Sequence, residues 1–349
     1  MDTLRKTDLS IIIVSWNVRD FLVNCLKSVY ETVKDISFEI IMVDNNSSDN
    51  APKIIKEKFP LVRIIQNKIN FGFAAANNQA IKISNGKYIL LLNPDTLTSA
   101  SAIEGILKFM DKNNSAGIAT CFQYRPDGKM LPINMAIRNY NFFYYNWLDD
   151  IKNNILNDLS LLFPKNKLVK RTVFAEIAKQ PDLGIICEKS PVEINVASGA
   201  FFMIKRTVIE KIGFFDERFF FNYDDFDFCY RARAAGWKIY LHPEYKIIHF
   251  SGESTKQWDK DKIKRIKIYT YLLFYKKYKG IFKLTFLTFK ILFCIALKAI
   301  LYNIFIPLLI VKGYKINRDT TIFSSMRDFY FYINNFFIVA FNLKMPKYE

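Results

Sequence analysis

Histidine is scarce in this 349-residue chain, with two copies, and cysteine is scarce as well, with five. Cys25, Cys121, Cys187, Cys229 and Cys294 are odd in number, widely spaced and free of any CxxC pair. That pattern speaks against a disulfide framework or a zinc site and fits a reducing compartment. Neither GxGxxG nor GxxxxGK[ST] occurs, which argues against a dinucleotide oxidoreductase and a P-loop NTPase. The N-terminal MDTLRKTDLS has no apolar export core, and the first apolar run, Ile11 to Val14, is too short to be one. The catalytic part is therefore expected in the cytoplasm. Internal repeats and low-complexity tracts are absent, and no uninterrupted apolar stretch reaches the roughly 18 residues of a spanning helix.

Acidic residues are the minority: 33 Asp+Glu stand against 50 Lys+Arg, a net charge of +17. Such a balance favours anionic partners, namely nucleic acid, acidic lipid or phosphorylated substrates, unless the excess is simply solvated lysine. With 51% hydrophobic and 24% charged residues the chain reads as folded over most of its length. It is long enough for one large domain with an appendage, or for two modest domains.

Buried β-branched runs predict strands at Leu9 to Ser15, Phe38 to Val43, Val62 to Gln66 and Tyr88 to Leu92. Helical spacing predicts helices at 18–33, 51–58 and 73–83 between them. Strands alternating with helices indicate an α/β fold with a doubly wound, mostly parallel sheet. Over 139–192 the alternation fades into aromatic, Asn- and Lys-rich sequence, read as a helical insertion or acceptor-side lid. Regularity returns with an apolar strand at Glu193 to Ile204, broken by Ser198-Gly199, helices at 206–212 and 225–235, and a strand at 237–242.

Beyond about residue 256 the composition shifts toward Lys, Tyr and Leu. Residues 281–311 are strongly apolar but interrupted by Lys283, Lys290 and Lys298, whose spacings put them on one side of a helix. A basic amphipathic helix lying in a membrane interface accounts for this pattern, against the alternatives of a helix packed on the domain or a true span.

Ligands of an open parallel sheet bind beyond the carboxyl ends of its strands. Three strands here end in polar loops: Ser15-Trp16-Asn17, Asp44 to Asp49, and Asn93-Pro94-Asp95. Asp44 suits hydrogen bonds from a base or ribose, but Asp-Asn-Asn-Ser-Ser-Asp is also turn and cap chemistry. Asp95 suits a hard cation bridging phosphate oxygens, or else a turn. In Tyr223-Asp224-Asp225-Phe226-Asp227, three carboxylates lie within four residues among aromatics. Packed like charges in a partly apolar site raise pKa values and poise one group as a base, while helix capping is the plainer account. His249 closes the apolar strand Lys246-Ile247-Ile248 and reads by default as a core or surface histidine.

Taken in order, the following segments resemble family 2 glycosyltransferases, most closely the rhamnosyltransferase-type branch. They are Ser15-Trp16-Asn17, Val43 to Asp49, Asn70-Phe71-Gly72-Phe73-Ala74-Ala75-Ala76-Asn77-Asn78, Leu92-Asn93-Pro94-Asp95, Ser198-Gly199-Ala200, Gly213 to Phe220, Asp224 to Arg231, Ala235-Gly236-Trp237 and His249-Phe250-Ser251-Gly252. The resemblance covers roughly residues 8–255. It implies a GT-A nucleotide-diphospho-sugar transferase fold over 1–255; the basic, apolar, helical sequence of 256–349 is read from its own pattern as a membrane-associating region. The resemblance also implies inversion at the anomeric carbon. Asp225 would be the general base. Asp224, standing where the family has Glu, and Trp237 would meet the acceptor. Ser15, Asn17, Asp44, Asn77, Asn93 and Arg231 would line the donor site. Asp95, retained from a DxD-like motif whose first acid is Asn93 here, would share a divalent metal, Mg²⁺ or Mn²⁺, with His249. The implied partners are a dTDP- or UDP-linked sugar and a glycan or lipid-linked acceptor, at the inner face of the cell membrane and without nucleic acid. Two rivals stand beside this reading. A metal-dependent nucleotidyltransferase would want a glycine-rich basic loop where Ser15-Trp16-Asn17-Val18-Arg19 lies. A non-catalytic membrane- or nucleic-acid-binding protein would leave the clustered aspartates unexplained.

Overall fold

The computed structural model describes residues 7–99, 101–131, 190–311 and 322–343. They fall into two units, with the break after Ile263. The expected insertion at 139–192 lies almost wholly outside the described residues.

The first unit is a nine-stranded mixed sheet flanked by helices. Its parallel half takes the order β3 (Arg63–Gln66), β2 (Phe38–Asp44), β1 (Leu9–Ser15), β4 (Tyr88–Leu92). β1 and β2 are almost wholly buried, as their uninterrupted apolar runs require. The crossover helices α1 (Arg19–Thr32), α2 (Ala51–Lys58) and α3 (Gly72–Ile83) return each strand to the same edge. On α1, Leu22, Cys25, Leu26 and Val29 are buried on one face, each full burial of such an apolar side chain contributing about 1.5–3 kcal/mol.

Ser15 pairs with Asp44, and Asp44 with Gln66, so the carboxyl ends are level. The β1–β4 register, Leu9 opposite Tyr88 and Ile12 opposite Leu91, carries that edge on to the Asn93-Pro94-Asp95 turn. β5 (Thr96–Thr98), α4 (Ala102–Lys112) and β6 (Ala116–Tyr124) follow.

The broken strand expected over Glu193 to Ile204 forms two strands, β7 (Val192–Ile194) and β8 (Phe201–Lys205). Ser198 and Gly199 turn the chain between them, and β8 then enters antiparallel to β4, with Phe201 opposite Leu92. The amino end of β8 thereby reaches the carboxyl edge. Next come α5 (Arg206–Ile212), α6 (Asp224–Ala234) and β9 (Lys238–His249), which is longer than expected. The pairing of β6 with β9 jumps from Cys121–His242 to Phe122–Lys246. A bulge thus leaves out Pro243, Glu244 and Tyr245, the first of which has no N–H to give. The strand continues until His249 faces Thr96 of β5.

The second unit holds α7 from Lys264 onward and α8 (Ile322–Ala340). Helix α7 (Lys260–Val311) breaks at Gly280, whose φ of 80° and ψ of 170° are not helical. Lys264 pairs with Asp328, and the Lys276 ammonium caps the carboxyl end of α8 at the carbonyls of Val339 (2.8 Å) and Ala340 (3.1 Å). The first segment of α7 therefore runs parallel to α8. Among the described residues no helix is long and apolar enough to cross a membrane.

Candidate active site

Three loops meet at the carboxyl edge of the parallel strands. Asn17, with φ of 53°, locks the first to the second. Its amide donates to Ser47 Oγ (3.0 Å), and its Oδ1 accepts from the Ser48 amide (2.7 Å). Asp44 is buried, with Oδ2 accepting from the Ser47 amide at 3.1 Å. Its Oδ1 has no hydrogen-bond partner among the described residues, and neither has the buried Ser15 Oγ beside it. Burial is the main cause that pushes the Asp44 carboxyl above its ordinary pKa. A buried carboxylate oxygen without a donor is costly unless something supplies one.

The turn after β4 is pinned by the Asn93 amide on Ala200 O (3.1 Å) and by Thr96 Oγ1 on Asn93 O (2.7 Å). It directs Asp95 at His249, whose Nε2 stands 3.3 Å from Oδ1, both side chains buried. On the far side of the ring, Nδ1 lies 3.0 Å from Gln123 Oε1. An acceptor there holds a ring proton on Nδ1, so Nε2 is the nitrogen that faces Asp95, sharing a proton with that carboxylate or, with a cation in the proton's place, offering its lone pair. Burial opposes ionisation of Asp95, but the imidazole and the Glu253 amide outweigh it and hold the carboxyl below its ordinary pKa. Asp95 and His249 thus offer one anionic oxygen and one imidazole nitrogen to the same point, a set that suits Mg²⁺ or Mn²⁺ completed by phosphate oxygens. Among the described residues no third His, Cys, Asp or Glu joins them.

The acidic segment enters α6 through strained backbone. Asn222 and Tyr223 both have φ of 64°, a conformation that non-glycine residues seldom adopt. The loop before them is seated by Phe220 O, which accepts from the Phe73 amide at 2.9 Å. At Gly72 (φ 81°) an added Cβ would lie 2.3 Å from that same oxygen, so only glycine fits. Asp225 Oδ2 then accepts from the Gly199 amide (3.3 Å) and Oδ1 from the Phe226 amide (2.9 Å). Through Gly199 and Ala200 the carboxylate adjoins the Asn93 turn. Desolvation raises the Asp225 pKa to about 6. Its neighbour Asp224, more deeply buried and beside the Asp225 charge, is raised well above its ordinary value.

Ser15, Asn17, Asp44, Asn93, Asp95, His249, Asp224 and Asp225 therefore share one edge of the sheet. Three other expected residues do not join them. Asn77 turns its amide back to the carbonyl of Phe73 in its own helix (2.9 Å). Arg231 has every guanidinium nitrogen bonded to the framework: Asp227 at 2.9 Å, Ile212 O at 2.8 Å and Phe214 O at 2.9 Å. Trp237 precedes β9 while His249 ends it, and the twelve residues of that strand, less the three left out at its bulge, separate them by on the order of 30 Å at about 3.3 Å each. Trp237 instead packs on Gly117.

Two neighbours of the site carried no expectation. Gln123 is one, and its signal was available: an amide side chain near the end of the otherwise apolar β6. Trp258 is the other. It meets Trp16 at 5.5 Å and both Phe220 and Phe221 at 5.9 Å between ring centroids. The preceding Gln257 donates to Asn17 O at 2.7 Å. Nothing in the local sequence foretells that return.

Comparison with known proteins agrees with this architecture. The model described as "Glycosyl transferase family 2" matches residues 10–178, and that described as "Glycosyltransferase like family 2" matches residues 190–266. The N-acetylglucosaminyl-diphospho-decaprenol L-rhamnosyltransferase of Mycobacterium tuberculosis is 22% identical over 227 residues, 62% of this chain and 67% of that protein. Two solved structures share the fold. The mannosyltransferase PcManGT from Pyrobaculum calidifontis, in complex with GDP-Man and Mn²⁺, superposes with a TM-score of 0.51 at 13% identity, over 98% of this chain and 89% of its own. GalNAc-T7 with UDP, GalNAc and Mn²⁺ gives a TM-score of 0.51 at 14% identity, over 76% of this chain. The match spans half of the GalNAc-T7 chain. With the two family matches together running from the first strand into α7, this chain is an enzyme of glycosyl transferase family 2, built on the GT-A fold.

Proposed function

We propose that the protein transfers a sugar, with inversion, from a nucleoside diphosphate to a hydroxyl of a glycan or lipid-linked saccharide, in cell-surface polysaccharide synthesis. The observation that carries this reading is the meeting of Asp44, the Asp95–His249 pair and Asp225 on one sheet edge. Asp44 Oδ1 has an open acceptor position suited to a base or ribose N–H or O–H. Asp95 and His249 would hold a divalent cation, Mg²⁺ or Mn²⁺, and such a cation, when bound, offsets the negative charge of a diphosphate leaving group. The Mn²⁺ in two structures of like fold supports that assignment.

Asp225 is the general base. It takes the proton of the acceptor hydroxyl while that oxygen bonds to the anomeric carbon. The bond from that carbon to the diphosphate oxygen breaks, and its electron pair leaves with the nucleoside diphosphate. Attack opposite the leaving group inverts the centre. A base near pKa 6 is ionised at neutral pH yet basic enough to assist. Asp224, beside it, hydrogen-bonds the acceptor.

The favoured donor is dTDP-rhamnose, with UDP-sugars next, on the strength of the rhamnosyltransferase relative. The diphospho-decaprenol in that relative's name supports a lipid-linked acceptor and work at the inner face of the membrane. A nucleotide-release assay across dTDP- and UDP-sugars, with and without Mn²⁺ or Mg²⁺, tests the reading. Cation-dependent release from one donor is expected. Neither release nor thermal stabilisation with any donor would overturn it.

A further inference from the structure

Beyond its break at Gly280, α7 presents Phe282, Phe286, Phe289 and Phe293 to solvent, 89%, 64%, 73% and 68% exposed. Spacings of four, three and four keep these rings within about 60° of arc on a helix that turns roughly 100° per residue. They form one narrow ridge. The opposite face is already occupied: Leu284, Thr288, Ile291 and Ile295 are buried. The helix thus packs through one apolar face and carries a second, unpartnered one. Contiguous exposed apolar surface of this kind marks an interaction site.

Lys283 and Lys290 follow Phe282 and Phe289 directly, about 100° round the helix, and both are exposed. The Lys290 ammonium lies 4.6 Å from the centroid of the Phe286 ring. Lysine therefore edges the ridge instead of forming a separate face. The side chain of Lys298, the third lysine in the segment, lies outside the described residues.

We propose that this ridge docks onto an anionic lipid surface. The four phenylalanines enter the boundary between headgroups and acyl chains, and Lys283 and Lys290 reach back to the phosphates at headgroup depth. Charge selects this occupant. The chain carries +17, and a second copy docked ridge to ridge would bring like-charged lysines together, whereas an acidic bilayer answers both the rings and the ammonium groups. The inference gives the membrane location proposed above a specific surface and rests on that location for its context. Its test involves no sugar, so its failure leaves the transfer reaction standing.

The test is flotation of the full chain with phosphatidylcholine vesicles, with and without phosphatidylglycerol. Wild-type protein should float with the acidic vesicles. Combining Phe282→Ser, Phe286→Ser, Phe289→Ser and Phe293→Ser should weaken that binding at least about tenfold, with the far-ultraviolet circular dichroism unchanged. Lys283→Glu with Lys290→Glu should remove the preference for phosphatidylglycerol. As a measurement independent of loss of binding, the Phe289→Trp variant should gain a blue-shifted emission component with acidic vesicles, relative to wild type. Unaltered flotation of the fourfold variant would overturn the proposal. So would a wild-type dimer that the fourfold variant converts to monomer while flotation is unaffected, since the ridge would then serve a second copy.

Discussion

Nε2 of His249 stands 3.3 Å from Oδ1 of Asp95, and the imidazole is oriented from behind by Gln123. The family resemblance pairs Asp95 with His249, but Gln123 enters only through the fold, because the three residues come from a turn and the ends of two strands. If the Gln123 carbonyl fixes which nitrogen faces Asp95, removing it should act on the cation before it acts on the sugar. Gln123→Leu is expected to weaken Mn²⁺ affinity about 10–100-fold, with kcat at saturating Mn²⁺ largely restored. Electron paramagnetic resonance titration with nucleoside diphosphate present measures the affinity directly. Unchanged Mn²⁺ binding in a poorly active variant would remove Gln123 from this role.

As the proposed base, Asp225 should govern the pH profile. It accepts a proton only when ionised, and its pKa is raised to about 6. Log(kcat/KM) should therefore climb as pH approaches 6 and flatten above it. Asp225→Asn should lower transfer by about 10²–10⁴-fold while leaving nucleoside diphosphate affinity near wild type.

The same shift has a consequence for stability. The unfolded chain releases this proton first, near the ordinary carboxylate value, so the native state loses stability as pH rises from there through about 6. Asp225→Asn removes that loss. Its melting temperature should exceed wild type at pH 8, and the gap should close toward pH 4. A gap that widens on acidification would contradict the assignment.

Asp44 makes a comparable trade between stability and binding. Its Oδ1, without a partner among the described residues, costs the free enzyme, and under the proposed role a bound nucleoside would offset that cost. Asp44→Ala should raise the melting temperature of the free protein. It should weaken nucleoside diphosphate binding by about 1.5–3 kcal/mol, the range for a hydrogen bond to a charged group. Calorimetric titration and thermal melts test the two halves together, and a variant that loses stability while keeping affinity would refute the pairing.

Much of this edge was legible before folding was considered. The runs ending at Ser15, Asp44 and Leu92 are short, apolar and closed by polar residues, and parallel topology then brings their ends level. Helix α2 over 51–58 could be read to the residue. The boundaries that went unread depend on tertiary context. Ser198-Gly199 could be read as a break in an apolar run, but not that the chain reverses there so that β8 pairs antiparallel with β4. The strand expected over 237–242 runs on through Pro243 because β6 accommodates that residue with a bulge. Arg231 and Trp237 carry the right chemistry for a binding cleft, but pairing with Asp227 and the start of β9 commit them elsewhere. Proximity in sequence to Asp225 was a poor guide for Arg231, because two turns of α6 intervene.

Gly72 tests whether the acidic segment depends on its seat. No side chain fits there: φ is 81°, and a methyl group would press to 2.3 Å of Phe220 O, the atom that accepts the Phe73 amide. A left-handed non-glycine residue costs about 1–2 kcal/mol, and forced overpacking adds roughly 1–3 kcal/mol. Gly72→Ala should therefore lose about 2–5 kcal/mol of stability. If Phe220 moves to relieve the contact, Asn222 and Tyr223 lose the constraint that holds their positive φ, and Asp224 and Asp225 are released with them. Transfer should then fall more steeply than the folded fraction does. Urea melts paired with kcat measured well below the melting temperature separate the two effects. A destabilised Gly72→Ala protein with wild-type kcat would show that the Asp224–Asp225 pair is placed by α6 alone, without help from the turn of Phe220 over α3.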